Sequence, residues 1–417
     1  MSTETHRTIE TVWRMESARL IAGLARIVRD VGVAEELAQD ALVAALEQWP
    51  EAGVPRNPGA WLMASAKHRA IDHLRRNKLL ERKHEDLGLE LGARERMVPD
   101  LAGQADDEIG DDLLKLIFMA CHPLLSSEAR VALTLRLLGG LSTQEIARAF
   151  FVPEPTMAQR IVRAKRTLAE NKIAFETPQG EEINARLASV LEVIYLIFNE
   201  GYAATTGGDW MRPALCEEGL RLGRVLAELT PAEPEVHGLV ALMEIHASRL
   251  RARATSQGEP VLLLDQDRSR WDWLLVRRGL AALDHAERLG MARGPYVLQA
   301  GIAACHARAR TAEETNWVRI AELYAELSAL TQSPVVELGR AVALGMAYGP
   351  ATGLELADSL AAEPSLRQSH RLPSVRGDLL FKLGRLAEAR LEFERAAQMA
   401  LNDSERRMLL DRVQECG

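Results

Sequence analysis

From end to end, the apolar residues of this chain return at three- and four-residue intervals and almost nowhere alternate. That is the period of an α-helix, and no run of alternating residues is convincing as a strand. Met157, Ile161, Ala164 and Leu168 are one example, spaced i, i+4, i+7 and i+11, which makes a single buried stripe. Ala, Leu, Arg and Glu dominate, and all are strong helix formers. The predicted fold class is therefore all-α.

Breaks in the pattern divide the chain, whose 417 residues favour two to four domains. Residues 1–78 form a first small helical unit, with helices expected over 9–31, ending at Gly32, and over 34–49, ending at Pro50. A turn over 55–58 precedes a third helix over 59–76. Residues 79–112 change character: from Glu85 to Asp112 there are ten acidic residues against Arg94 and Arg96 alone, with Gly and Pro among them. This composition predicts a flexible acidic linker. Residues 113–175 form a second small helical unit, with helices expected over 113–121, 128–138, 143–150 and 154–172. Residues 180–417 read as a long helical array with short loops.

The net charge of −8 would suit a nucleic-acid binder poorly if it were spread evenly, so its distribution carries the information. Cys121, Cys216, Cys305 and Cys416 form no C-x-x-C pair and have no histidine at zinc-finger spacing. They are expected to be free and mostly buried, with no metal or other cofactor. The polar N-terminus lacks the apolar segment of a signal peptide, and no apolar stretch approaches the roughly 18 residues of a membrane span. A soluble, cytoplasmic protein without membrane contact is expected.

Ser142-Thr143-Gln144-Glu145 has the pattern of a capping box, opening a short helix. Pro153 and Pro155 bracket the start of another. Two helices across a short turn, the second rich in basic residues, suggest a helix-turn-helix. The second helix sorts by face. Away from the buried stripe, Thr156, Gln159, Arg160 and Arg163 share a side, and such residues read base edges in a major groove. Lys165 and Arg166 flank them and suit phosphates. An ordinary solvated basic face has the same composition, and this helix alone does not separate the two readings.

The N-terminal unit separates them. The segment PGAWLMASAKHRAIDHLRR, from Pro58 to Arg76, resembles the promoter −10 recognition segment of extracytoplasmic-function (ECF) sigma factors. Upstream, AEELAQDALVAALEQWP resembles the family's core-binding segment; downstream, LSTQEIARAF and PTMAQRIVRAKRTL resemble its −35-reading domain. Together the motifs cover roughly residues 9–172, in the family's order. The resemblance implies a transcription initiation factor. In it, Trp61, Lys67, His68, Arg69, Asp72, Arg75 and Arg76 meet −10 DNA. Thr156, Gln159, Arg160, Arg163, Lys165 and Arg166 meet −35 DNA. Glu35, Glu36, Gln39, Asp40 and Glu47 meet core polymerase, on the clamp region of its β′ subunit. The acidic linker would thread toward the RNA exit channel. Physical chemistry agrees: duplex at −35 suits a helix in the major groove, and unpaired bases at −10 need cationic and aromatic groups. Where the family usually opens its recognition helix with a Gly-Thr-Val-Lys-Ser-Arg type start, this chain has Pro155-Thr156-Met157-Ala158-Gln159-Arg160.

In the array, Gly377, Gly384, Ala389, Phe393 and Ala396 fall at the small and aromatic positions of a tetratricopeptide repeat. Phe393 would fill the gap between two close helices, and several degenerate repeats should stack. The stretch over 232–253 is a weaker candidate for a helix pair. A sigma core fused to such an array resembles an ECF subgroup in which the extension stands in for a separate anti-sigma factor. Arrays of this kind usually offer a concave surface to a protein or peptide. The segment from Asp265 to Asp272 superficially resembles a calcium loop but lacks the glycine at its sixth position and the closing glutamate, where Val276 stands. It is read as a structured turn with salt bridges. Tyr195, Asn199, Glu200 and Tyr202 form a polar-aromatic cluster, read as structural, with the lining of a ligand pocket as the other reading. No nucleophile-base pair, phosphate loop or metal cluster points to an enzyme. The rival reading is a conventional helix-turn-helix regulator with a helical sensor domain, which would have no need of the motifs over 34–76.

Overall fold

The computed structural model describes residues 2–85, 106–150, 152–178, 182–203, 211–255, 260–290, 292–367, 369–400 and 402–417. These residues are helical almost throughout, and β-structure among them is limited to isolated bridge residues, such as Ala254 paired with Pro260. The chain divides into two compact units, the first ending at Val193 and the second beginning at Ile194.

The first unit opens with α1 (Ser2–Val28), α2 (Val31–Ala52) and α3 (Pro58–Glu85). The first break falls earlier than expected. Arg29 takes a left-handed backbone, φ 56°, and Asp30 caps α2 by accepting from the Gly32 and Val33 amides. The aspartate satisfies the donors a helix start leaves open, so Gly32 lies inside the helix instead of ending one. Pro50 is likewise inside α2, which stops at Gly53 with φ 86°. Asn57 caps α3 through the Ala60 amide. Its apolar stripe, Leu62, Ala66 and Ala70, is fully buried.

α3 continues to Glu85, and α4 (Asp106–Ala120) begins inside the expected linker, so both ends of that segment are helical. The rest of the expected acidic linker, residues 86–105, lies outside the described residues. Then come α5 (Ser127–Leu137), α6 (Thr143–Ala149), α7 (Glu154–Glu170) and α8 (Glu182–Tyr202). The first unit does not stop after α7, near residue 175. Arg186 on α8 donates to the Phe118 carbonyl and Ser189 to that of Cys121, while the buried Arg130 reaches Ser189 and Glu192.

The second unit continues with α9 (Pro213–Leu229), α10 (Pro234–Ala247), α11 (Trp273–Arg288), α12 (Pro295–Arg308), α13 (Trp317–Thr331) and α14 (Pro334–Tyr348). It ends with α15 (Pro350–Ser359), α16 (Arg371–Lys382), α17 (Leu386–Met399) and α18 (Asp403–Glu415). The pair α16–α17 has the expected close approach. A side chain at Gly377 would meet the Phe393 ring at 2.8 Å, and Gly384 turns the chain with φ 73°. Phe393, Ala389 and Ala396 are buried between them. The stretch over 232–253 is one helix, α10, followed by a single 3-10 turn, instead of a helix pair. The segment from Asp265 to Asp272 is a structured turn, but hydrogen bonds hold it where salt bridges were expected. Asp267 accepts from Ser269, Asp272 caps α11, and Arg268 donates to the His306 and Ala309 carbonyls.

The four cysteines are free, three of them buried, and burial pushes the Cys121 thiol up to about 11 and that of Cys216 to about 12. Among the described residues no helix is long and apolar enough to cross a membrane, and no cluster of His, Cys, Asp or Glu is arranged to hold a metal.

Candidate nucleic-acid interface

The geometry of α6 and α7 follows from local chemistry. Ser142 accepts from the Glu145 amide at 3.1 Å, and the Glu145 carboxylate accepts from the Ser142 amide at 2.8 Å, completing the capping box. Burial raises the Glu145 pKa, but the Ser142 bonds, with Arg14 and Arg148, hold it below its ordinary value. After α6 the Val152 amide donates back to the Ala147 carbonyl, turning the chain without a glycine. Pro155 sits in the first turn of α7, where its missing N–H costs nothing.

On α7 the stripe of Met157, Ile161, Ala164 and Leu168 is buried. Thr156, Gln159 and Arg163 are exposed and Arg160 half-buried. These four line a groove of about 340 Å³, whose other wall is the start of α5 with Leu124 and Ser126. Arg166 is exposed on the same helix and paired with Glu170 at 2.6 Å. Lys165 behaves differently. It turns to Glu35, which is buried and also accepts from Arg136 at 2.6 Å. At 100° per residue Lys165 stands half a turn from Thr156, so the wheel itself sets it apart from the reading face. Val162, 61% exposed, lies beside Gln159 and Arg166 on the helical net. Hydropathy alone would assign it to the core; only its position on the wheel reveals an apolar group suited to a thymine methyl.

On α3, Trp61, His68, Asp72 and Arg75 fall along one stripe, with Arg69 and Arg76 on its flank. His68, Asp72, Arg75 and Arg76 are exposed, and Arg69 lies 3.6 Å from Asp40. Lys67 projects from another side of the helix. Trp61 is half-buried, edge-on to the buried Trp49 with ring centroids 5.4 Å apart.

On α2, Glu36, Asp40 and Glu47 are exposed and Gln39 half-buried. Glu35 departs from the surface role expected of it: at 2% exposure it joins α2 to α5 and α7. A helix-boundary position and a long-range partner decide this, and neither is visible in sequence. Val43 and Leu46, 51% and 37% exposed, lie among the acidic residues and add apolar surface that the charge pattern did not suggest. Further ion pairs join α1 to α4, Arg26 to the buried Asp112 at 2.9 Å, and α1 to α6, Arg14 to Glu145 at 3.0 Å.

Comparison with known proteins matches these elements. Residues 13–79 match the family model for sigma-70 region 2, and residues 115–168 that for sigma-70 region 4. Residues 186–287 match a family of unknown function, DUF6596. The chain is 43% identical over 397 residues to an uncharacterized protein of Rhizobium meliloti, covering 94% of this chain and 93% of that one. It is 26% identical over 169 residues to a probable ECF RNA polymerase sigma factor, SigI, of Mycobacterium tuberculosis, covering 40% of this chain and 57% of the relative. With the ECF RNA polymerase sigma factor SigC of Mycobacterium tuberculosis it shares 29% identity over 161 residues, 39% of this chain and 77% of the relative. No solved structure matches the chain.

Proposed function

The chain belongs to the extracytoplasmic-function sigma factors of the sigma-70 family and is an RNA polymerase sigma factor, and on that premise we propose how its surfaces divide the work of promoter-specific initiation. Residues of α7 read the −35 duplex, with Thr156, Gln159, Arg160 and Arg163 on base edges and Arg166 on a phosphate. Lys165 joins them only by exchanging Glu35 for DNA. The exposed stripe of α3, with Trp61 at its head and Arg69, Arg75 and Arg76 along it, holds the unpaired −10 strand. Glu36, Gln39, Asp40 and Glu47, with Val43 and Leu46 between them, dock on the clamp region of the β′ subunit. Residues 194–417 regulate this activity through a protein or peptide partner. The protein acts with the polymerase in the cytoplasm, and polymerase supplies most of the phosphate contacts that an acidic chain lacks.

The observation that carries this reading is the division of α7 into a buried apolar stripe and a polar groove that four candidate base-reading residues share. The test is in vitro transcription from the protein's own upstream region, with core polymerase and the full chain. Initiation should depend on the added protein. Arg163→Ala should weaken −35 discrimination by about 1–3 kcal/mol, read against templates altered base by base. Unchanged promoter selection by that variant would remove Arg163 from the reading face.

A further inference from the structure

In the second unit, three arginines and two histidines gather at buried or half-buried positions. Arg249, just beyond α10, is 4% exposed. Its Nε has no hydrogen-bond partner, and its guanidinium lies 5.8 Å from the centre of the Trp271 ring. Arg268 stands 4.8 Å from the centre of the same ring. One of its terminal nitrogens donates to the His306 and Ala309 carbonyls, while the other is buried and unpartnered. Arg253, 7% exposed, stacks at 3.4 Å over Tyr202, whose ring leans on His246 at 4.9 Å. His306 is 7% exposed, with a buried Nδ1 that meets no partner.

The buried carboxylates of this unit serve other arginines, and Glu313 and Glu314 act on Arg268 without forming an ion pair with it. The buried Glu244 serves Arg224 at 2.8 Å and Arg278 at 3.5 Å, and Glu200 serves Arg212. Among the described residues, neither Arg249 nor Arg268 forms an ion pair. A buried charge without a counter-charge is expensive, and stacking on an aromatic face returns only part of the cost. Guanidinium groups do not escape by losing a proton, so the positive charge stays. The imidazoles do escape. Burial, then Arg249 and Arg268, push His306 down to about 4, and burial with Arg249 and Arg253 lowers His246 well below its ordinary value. Neutral imidazoles keep both a donor and an acceptor.

Planar guanidinium forks match the oxygen pairs of phosphates and carboxylates. We infer that Arg249, Arg253 and Arg268, flanked by His246 and His306 and floored by Trp271 and Tyr202, form a binding site for a small oxyanion. The burial of Arg249 and His306 suits a small molecule and not a polymer. The site lies largely within the DUF6596 segment and does not depend on how the first unit meets the promoter.

Thermal unfolding of the full chain tests it, with inorganic phosphate, citrate or chloride added at matched ionic strength. The site requires a saturable rise in Tm with phosphate or with citrate that chloride does not reproduce, and the more effective anion tells phosphate from carboxylate chemistry. Arg249→Met and Arg268→Met should each weaken the response about tenfold or more. Arg277→Met, at an exposed position on α11, should leave it intact. Should Arg249→Met fail to fold, the half-buried Arg268→Met carries the same reading. A Tm that follows ionic strength alone, or a response that survives Arg268→Met, overturns the site. Because binding is read without polymerase or DNA, failure here is distinct from failure in transcription.

Discussion

Both units hold buried ion pairs, but the second also has a charge cluster built in the opposite way from those of the first. In the first, Glu35 is shared by Arg136 and Lys165, Asp112 lies between Arg26 and Lys115, and Arg130 reaches Glu192. Several of these pairs join elements distant in sequence, so the cost of desolvation is met by contacts that also fix how the helices sit. Around Arg249 in the second unit, like charges are gathered instead and spread over aromatic rings. Charge paired inside the chain specifies its packing. Charge left without its opposite makes the chain's own electrostatics incomplete and open to completion from outside.

The contrast breaks most decisively at Glu35. Glu35→Ala strands two cations at the junction of α2, α5 and α7 and should cost about 3–5 kcal/mol, read as a lower denaturation midpoint with core polymerase absent. A loss of under 1 kcal/mol would mean that the pairing merely decorates a junction held by apolar contacts. Acid should act next most strongly, and on the second unit. His306 takes its proton near 6.5 when unfolded but only near 4 when folded. The unfolded state is protonated first, so stability falls as pH drops from about 6.5 toward 4, with His246 adding in the same direction. Equal denaturation midpoints at pH 7 and pH 5 would remove that asymmetry. Arg249→Met in anion-free buffer should then show the opposite sign from Glu35→Ala, a gain of about 1 kcal/mol or more, because an unmatched buried charge is replaced by an apolar chain of similar length. A clear loss would show that stacking on Trp271 already balances that charge. The smallest effect is local to the first unit. Ser142→Ala should cost about 1 kcal/mol, measured by denaturation, and should leave the anion response of the second unit unaltered.

Where local chemistry decides, the sequence was readable. Met157, Ile161, Ala164 and Leu168 announce the buried side of α7, and Ser142 with Glu145 announces the start of α6, because both are repeats or contacts within a few residues. Phe393 and Gly377 could be matched for the same reason, through a known spacing of small and aromatic positions. The start of α2 could not, since Asp30 captures two amides only once Arg29 has turned left-handed. Their sequence context assigns Lys165 and Glu35 to separate functional surfaces, and the structure brings them together across 130 positions of sequence. Nothing local in either residue encodes the other. The cluster at Arg249, Arg253 and Arg268 escaped altogether, because arginines at such spacing read as solvated charge until the fold buries them.

One feature of the first unit also sets an order of events in synthesis. α7 ends at Glu170, yet Arg130 on α5 finds Ser189 and Glu192 only after the ribosome has added some twenty further residues. At roughly 5–20 residues per second, that is a delay of about 1–4 s during which α5 to α7 exist without the strut that closes over Cys121 and Phe118. A translational pause that exposes α7 before α8 has emerged would therefore present chaperones and proteases with Arg130 still lacking its partners, whereas a pause after α8 has emerged would present the completed contact.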